Sequence, residues 1–245
     1  MKAKAPHGGV SRETPHSIST ETNIAPLEEN ATTQDARDRF GGPRASSHVR
    51  LPPHPPGLRV GIFGGSFNPP HEGHRAASLL ALRRLHLDCV WWLVSPGNPL
   101  KDKAELAPLA ARMRAAQKLA NHPRIRISGI EAAIGTTYSF ETIAWLKRRC
   151  PGVHFVWIMG ADNLAGLHRW KRWRDLISLV PIAVIDRPGS TLKSMSSRGG
   201  AALAPYRLNE SAASRLATTP PPAFAFLHGP RSSLSSTALR ARAAS

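Results

Sequence analysis

Two histidines, His71 and His74, follow a glycine-rich turn and lie three residues apart. The apolar run Arg59–Phe63 predicts a buried strand before the turn, and a helical apolar pattern begins just after His74. Gly64 and Gly65 let a ligand approach the backbone closely. At a spacing of three the histidines share one helix face. Because a helix start offers free N–H groups and the positive end of its dipole, we predict a phosphate site.

The glycines do not fit the two commonest phosphate signatures. No Lys-Ser or Lys-Thr pair follows the second glycine, which excludes a P-loop, and the spacing is not that of a dinucleotide fingerprint. The residues leave two other interpretations of the histidines open. They could be half of a metal site, although no third ligand occurs at a recognisable spacing, or two ordinary surface histidines. The phosphate interpretation is the preferred one.

Further anion-binding and ribose-binding residues occur later in the chain. Ser235 and Ser236 begin a predicted helix, so that hydroxyl and N–H groups converge on one point. Arg240, about one turn further along, adds a fork of donors. Asp162 follows Gly160 at another predicted helix start, where it could cap the helix or bind a ribose hydroxyl. Both roles stay open.

Composition limits the class of protein. The 245 residues suffice for one domain and a tail, and the net charge of +17 attracts polyanions. Because the arginines are spread over several helices, we expect anionic small substrates and no specific nucleic-acid partner. No apolar run is long enough to span a membrane, so we expect no membrane partner. Cys89 and Cys150 are interpreted as buried free thiols of a cytoplasmic protein, and a homo-oligomer is neither indicated nor excluded.

The chain after Leu58 alternates short apolar runs with helical periods, which predicts a mainly parallel sheet covered by helices. Residues 1–57 have few apolar side chains and are expected to form a disordered extension, with a mis-assigned start as the alternative. The domain is placed at 58–245, and within it 190–222 is expected to be a mobile excursion with some helix. Predicted strands are Arg59–Phe63, Cys89–Val94, Arg124–Ile127, His154–Met159, Ile182–Ile185 and Ala223–Phe226; predicted helices are Gly73–His86, Leu106–Asn121, Ser139–Arg149, Asp162–His168, Trp173–Ser178 and Ser235–Ala243.

Two motifs carry a family resemblance. The run from Gly61 to His74, GIFGGSFNPPHEGH, resembles the first signature of the nucleotidyltransferases with an H-x-G-H motif, and most closely that of bacterial nicotinate-nucleotide adenylyltransferases. The run from Leu234 to Arg240, LSSTALR, is similar to the second signature, I-S-S-T-x-x-R. The resemblance runs from about Leu58 to the end. It implies a three-layer Rossmann-like nucleotidyltransferase fold.

The resemblance also implies a reaction, in which ATP and nicotinate mononucleotide give deamido-NAD and pyrophosphate. His71, His74, Lys101 and Arg240 would be the catalytic residues. Binding of ATP would use Gly64, Gly65, Ser66, Phe67, His71, His74, Asp162, Ser235, Ser236 and Arg240. Mg²⁺ is implied by the chemistry and would be held by substrate phosphates and water, with no metal site on the protein. Arg112 matches a further family element and is expected to be buried by pairing.

The nicotinate mononucleotide would contact Ser139, Trp170, Lys171 and Arg187 by resemblance, with Trp170 stacked on the pyridine ring. Lys171 stands where the family frequently has an aromatic residue, and its ammonium would either turn toward the nicotinate carboxylate or point to water. Asn68 stands where an aspartate is common. Alternative functions are adenylyl transfer to nicotinamide mononucleotide or phosphopantetheine, and nucleotide binding without catalysis.

Overall fold

The computed structural model describes residues 51–97, 106–186 and 191–229. Six strands form one sheet in the order β3-β2-β1-β4-β5-β6, and every neighbouring pair is parallel. The strands are β1 Arg59–Gly65, β2 Cys89–Val94, β3 Ile125–Ser128, β4 His154–Gly160, β5 Ile182–Ile185 and β6 Phe224–Leu227.

Helices connect the strands and cover both faces of the sheet. The α-helices are α1 Glu72–Arg84, α2 Leu109–Ala120, α3 Ile130–Ala133, α4 Ser139–Arg149, α5 Ala161–Gly166, α6 Trp173–Leu179, α7 Thr191–Met195 and α8 Arg198–Leu203. Three 3₁₀ helices span Leu167–Arg169, Ala204–Tyr206 and Glu210–Thr218. Among these described helices, none is long and apolar enough to cross a lipid bilayer.

The two apolar clusters of the protein lie on opposite faces of the sheet. Successive side chains of a strand point to opposite faces, so in β2 Trp92 belongs to one cluster while Trp91 belongs to the other. Buried residues of α1, α2 and the 210–218 helix complete the first cluster, and those of α4, α5, α6 and α8 complete the second. Strands buried on both faces explain why the sequence shows continuous apolar runs. The predicted three-layer α/β fold is confirmed.

The strand order places a topological switch between β1 and β4. Going along the chain, the sheet grows outward from β1 to β2 and β3, and then restarts on the other side with β4. The helices that follow β1 and β4 therefore leave the sheet in different directions, which opens a crevice at the carboxyl ends of these strands. In open α/β sheets ligands bind in such a crevice. The glycine-rich turn after β1 lies there.

Within the described residues, the predicted elements agree with the structure apart from their ends and one segment; the predicted helix Ser235–Ala243 lies outside the described residues. Cys89–Val94, Ile182–Ile185 and Ser139–Arg149 have the predicted bounds. For 190–222 the sequence predicted a mobile excursion with some helix; the described part contains the helices but, contrary to the expected mobility, it packs against the domain. Leu203, Ala213 and Leu216 are completely buried there, because the helices that carry them pack against the two clusters.

Residues 51–57, which the sequence assigns to the N-terminal extension, contact the domain. The N–H of Gly57 donates to the carbonyl of Gly152 at 2.8 Å. The ring of His54 lies edge-on to that of Trp91, with 6.4 Å between centroids, and Leu51 packs against the cluster that contains Trp91. Residues 51–57 are thus packed against the domain.

Candidate active site

Gly64 closes the end of β1 against the neighbouring strand. A Cβ at this position would lie 2.8 Å from the Trp157 ring of β4, a contact too short for any side chain. At Gly65 the corresponding contact, with Phe67, is an ordinary 3.4 Å. The sequence explained Gly64 by close approach of a ligand, whereas the structure gives a packing reason. The absence of a side chain at Gly64 thus leaves room for the Trp157 ring at the end of β1.

His71 and His74 lie side by side at the start of α1. His71 is the N-cap residue and is buried, and the ring centroids of the two histidines are 3.8 Å apart. The N–H of His74 donates to the carbonyl of His71 at 2.8 Å, and the N–H of His71 donates to Nδ1 of His74 at 3.1 Å. The structure therefore brings the predicted pair together at a helix N-terminus, where an anion is favoured.

Aromatic packing fixes the histidine pair from below. The His74 ring lies 4.8 Å from the Phe67 ring, which stacks on Trp92 at 4.9 Å. Trp92 donates its indole N–H to the Ser78 hydroxyl at 2.7 Å, and that hydroxyl donates to the His74 carbonyl at 2.9 Å. Phe67 adopts a positive φ of 46° and is 1% exposed. The Phe67 side chain thus supports His74, and a contact of Phe67 with ATP stays a prediction.

Arg112 of α2 holds the loops that border the crevice. Its guanidinium donates to the carbonyls of Ser66 at 2.6 Å, Ser95 at 2.8 Å and Ala107 at 2.7 Å. The side chain is buried, as predicted, and burial lowers the pKa of the guanidinium. The partners are carbonyl oxygens of the segments after β1 and β2 and before α2, so Arg112 ties these three segments together.

Glu131 is a buried carboxyl group that the sequence analysis missed. It accepts a hydrogen bond from the Thr142 hydroxyl at 2.9 Å and links α3 to α4. Burial raises the pKa of Glu131 to about 7, although hydrogen bonds from Thr142 and Ser95 oppose the shift. No spacing rule marks this residue. The available signal is a single acidic residue within the apolar stretch that follows β3.

Ser139 and Trp170 lie on neighbouring segments. Ser139 is the first residue of α4, so its N–H is one of the donors that a helix start leaves for a ligand. Trp170 follows the Leu167–Arg169 helix, is half-buried, and packs edge-on against Trp157 with 6.1 Å between centroids. Because Trp157 also contacts Gly64, one tryptophan connects the end of β1 with the predicted pyridine platform.

Lys171 pairs with an acidic side chain at the surface, and its side chain is 52% exposed. Its ammonium lies 3.2 Å from a carboxylate oxygen of Glu141 and 4.1 Å from the centroid of the Tyr138 ring. Glu141 also accepts a hydrogen bond from the Thr136 hydroxyl at 2.6 Å. The structure thus adds Glu141 to the candidate site, because it carries the charge that faces Lys171.

Of the remaining predicted residues, some are described by the structure and others lie outside the described ranges. Asp162 is in the first turn of α5, where Gly160 occupies the N-cap position; a capping role as N-cap residue is therefore excluded. Asn68 accepts a hydrogen bond from the N–H of Ala107 at 3.4 Å. Other predicted site residues lie outside the described residues: Lys101, Arg187, Ser235, Ser236 and Arg240.

Residues 51–97, 106–186 and 191–229 contain no group of three or more His, Cys, Asp or Glu side chains that could hold a metal ion. A metal needs several such ligands from the protein unless a substrate supplies them. That Mg²⁺ would be held by substrate phosphates stays a prediction.

Comparison with known proteins covers most of the chain. The cytidylyltransferase-like family matches residues 62–242. A probable nicotinate-nucleotide adenylyltransferase of Methylorubrum extorquens is 58% identical over 185 residues, which are 76% of this chain and 100% of that protein. One of Brucella abortus is 55% identical over 183 residues, 75% of this chain and 94% of that protein.

Solved structures give the same fold at lower sequence identity. The nicotinic acid mononucleotide adenylyltransferase of Plasmodium falciparum, complexed with NaAD, superimposes with a TM-score of 0.56 at 17% identity, covering 75% of this chain and 83% of that one. Its complex with APC gives a TM-score of 0.52 at 16% identity and covers 74% and 82%. At this identity the likeness concerns the arrangement of the sheet and helices.

Proposed function

The chain belongs to the nicotinate-nucleotide adenylyltransferases within the cytidylyltransferase-like family, and we propose from that premise how its residues act. It is a nucleotidyltransferase of NAD biosynthesis, with ATP as the adenylyl donor. The acceptor we assign is nicotinate mononucleotide, and the products are deamido-NAD and pyrophosphate. We place the reaction in the cytoplasm, in keeping with two free thiols, Cys89 and Cys150.

One observation supports the proposal above the others. His71 and His74 lie together at the N-terminus of α1, at the carboxyl end of β1 and next to the switch between β1 and β4. This is the place where an open α/β sheet binds nucleotides. A site that combines a helix N-terminus with two imidazoles suits a polyphosphate better than a neutral ligand.

The chemistry needs no general base. The phosphate of the mononucleotide has a second pKa of about 6 and is largely dianionic at neutral pH, so its oxygen is already a nucleophile. That oxygen forms a bond to the α-phosphorus of ATP while the bond from this phosphorus to the bridging oxygen breaks and pyrophosphate leaves. The enzyme must therefore hold two anions in line and stabilise the charge that develops.

We assign this stabilisation to donors around the triphosphate. His74 accepts an N–H at Nδ1, so its neutral ring carries the proton on Nε2 and can donate it to a phosphate oxygen. We assign His71 to the same phosphates, and Lys101, Arg240, Ser235 and Ser236 to the outer oxygens, by resemblance. Mg²⁺ would reach the site on the phosphates of ATP and neutralise part of their charge.

The acceptor end of the site is assigned to segments around α4 and α6. Trp170 offers a ring face for the pyridine, and Ser139 offers an N–H at a helix start for its carboxylate. We assign Arg187 to the phosphate of the mononucleotide by resemblance, and Asp162 to a ribose hydroxyl of ATP. Arg112 acts as a positioning residue, since it holds the loops on both sides of the crevice.

The test is release of pyrophosphate by the purified full chain with ATP and nicotinate mononucleotide. Parallel reactions use nicotinamide mononucleotide and phosphopantetheine as acceptors. We expect kcat/KM for nicotinate mononucleotide to exceed that for the amide by at least about 10²-fold, because the amide NH₂ would face a donor and leave it unpaired. Equal use of both mononucleotides would contradict the acid assignment, and no turnover with any acceptor would contradict catalysis.

A further inference from the structure

Two segments at the acceptor end of the site are joined by charged and aromatic contacts. The ammonium of Lys171 pairs with Glu141 at 3.2 Å and lies over the Tyr138 ring. The guanidinium of the next residue, Arg172, lies 3.9 Å from the centroid of the Phe140 ring. The segment 170–172 is thus held against the segment 138–141 by three contacts.

Glu141 is fixed and ionised. Its Oε2 accepts from the Thr136 hydroxyl at 2.6 Å, and its Oε1 faces Lys171. The hydrogen bond from Thr136, followed by that from Lys171, lowers the pKa of Glu141. Thr136 is itself buried and accepts the N–H of Tyr138 at 3.2 Å. A negative charge is therefore built into the start of α4, one turn or less from Ser139.

The ion pair is exposed, so stability is a poor explanation for it. The side chains of Lys171 and Glu141 are 52% and 41% exposed. Ion pairs of this kind contribute little to the free energy of unfolding, because water and salt screen them and both side chains lose rotamer freedom. Their electrostatic effect on a bound charge nearby is a separate matter, since it needs no gain in stability.

The position of the pair relative to the assigned acceptor residues suggests its role. Lys171 follows Trp170 directly, and Glu141 is two residues after Ser139. A pyridine ring on Trp170 with its carboxylate at Ser139 would place that carboxylate beside both charges. Glu141 alone would repel the carboxylate of the acid and would have a weaker effect on a neutral amide.

We propose that Lys171 is a specificity-determining residue that cancels the charge of Glu141 and thereby admits the acid form of the pyridine mononucleotide. The proposal rests on the function proposed above. Lys171 then does not need to contact the substrate. The acid-to-amide ratio of kcat/KM isolates the effect, because the phosphate and ribose are common to both acceptors and only the ring substituent differs in charge.

Three variants test the proposal: Lys171→Met, Glu141→Gln and the double variant. We expect Lys171→Met to lower the acid-to-amide ratio about tenfold, mainly through a higher KM for the acid, as one uncompensated charge within several ångströms would. Glu141→Gln should keep or raise the ratio. The double variant should return to within about threefold of the parent, and 0.5 M salt should weaken the effect of Lys171→Met.

A matched control is the ion pair of Arg59 and Asp88. It also joins two segments, with side chains 37% and 39% exposed, but it lies at the amino end of β1, whereas the candidate site lies at the carboxyl end. Arg59→Met and Asp88→Asn should leave the acid-to-amide ratio unchanged. Thermal unfolding of all variants checks that they are folded, since an effect of lost packing would lower kcat/KM for both acceptors alike.

Two results would overturn the proposal. One is a pair of single variants that shift the acid-to-amide ratio of kcat/KM in the same direction, which would indicate that the ion pair of Lys171 and Glu141 has a structural role. The other is a Lys171→Met variant with the ratio of the parent. Activity of the parent chain with nicotinate mononucleotide is measured first, so failure of the proposed function, with no acid preference in the parent, is distinguished from failure of this inference.

Discussion

The backbone N–H of His71 donates to Nδ1 of His74 across 3.1 Å, while the rings of the two residues lie 3.8 Å apart between centroids. An N–H can only donate, so Nδ1 of His74 is an acceptor and carries no proton. The neutral imidazole then has its proton on Nε2. The spacing of three residues thus brings both histidines to one helix start, and it also lets the backbone of His71 select the tautomer of His74.

His74→Ala should lower kcat by about 10²–10³, the usual cost of losing one donor to a developing charge, with a smaller change in the KM for ATP. His74→Gln is the matched variant, because its amide can donate from about the position of Nε2; it should retain more activity than alanine does. Steady-state kinetics of pyrophosphate release measure both. A normal kcat for His74→Ala would exclude the residue from the mechanism.

Arg112→Met should destabilise the protein and slow the reaction together. The change removes the donor shared by three carbonyls, and buried acceptors without partners cost about 1–3 kcal/mol each. A loss of about 3 kcal/mol would lower Tm by roughly 6–12 °C. Differential scanning calorimetry and kcat at a temperature where the variant is folded are the measurements.

Arg112→Lys provides the comparison, since it keeps the charge but cannot reach three carbonyls with a fixed fork of donors. We expect it to rescue less than half of the loss in Tm. Full rescue by lysine would show that charge, and not the fork that joins the loops, is what this position requires.

Glu131 should make the protein less stable as pH rises. Its pKa in the folded protein is about 7 and exceeds the ordinary value of 4.5. Its contribution to the free energy of unfolding is therefore full below about pH 4.5 and is lost as pH rises through 7. In this interval the unfolded chain releases the proton more readily than the folded one. Glu131→Gln cannot ionise and should gain about 2–3 kcal/mol relative to the parent between pH 5 and pH 8.

Urea unfolding of parent and Glu131→Gln at pH 5, 6, 7 and 8 measures this difference. A difference that does not change between pH 5 and pH 8 would mean that the Glu131 carboxyl is already ionised in the folded protein at pH 5.

The sequence predicts the fold well because its signal is local. Continuous apolar runs mark strands buried on both faces, and β2, β5 and α4 have their predicted bounds. For the described part of 190–222 the sequence predicted some helix correctly but also predicted mobility, because small residues such as Ala213 and Gly199 are common in loops. In the structure these small residues are buried where their helices pack against the rest of the domain.

The site was predictable only where its residues are neighbours in sequence. The spacing of His71 and His74 was sufficient to place both at a helix start. The contact of Arg112 with Ser66 joins residues 46 apart, and that of Lys171 with Glu141 joins residues 30 apart. Such pairs form because the crossover connections of a parallel sheet bring distant segments of the chain together. No motif in the sequence therefore indicates which side chains will pair.

Residues 51–57 should contribute to stability although they precede the first strand. Deletion of residues 2–50 keeps the Gly57–Gly152 hydrogen bond and the contact of His54 with Trp91, so we expect Tm to change by less than about 2 °C. Deletion of residues 2–57 uncovers part of Trp91 and should lower stability by about 1–3 kcal/mol. Equal Tm values for the two truncations would contradict a packing role.

Trp170→Ala should raise KM for both pyridine mononucleotides by about tenfold and leave their kcat/KM ratio within about threefold of the parent. A ring platform contributes stacking, about 0.5–1.5 kcal/mol beyond the buried area, and stacking is nearly the same for the acid and the amide. Trp170→Phe is the matched variant and should recover most of the affinity.

The edge-on contact with Trp157 orients the Trp170 ring, so Trp157→Leu should raise both KM values in the same way. If Trp170→Ala instead changed the acid-to-amide ratio by more than tenfold, the indole would be contacting the ring substituent, and the platform role would have to be abandoned.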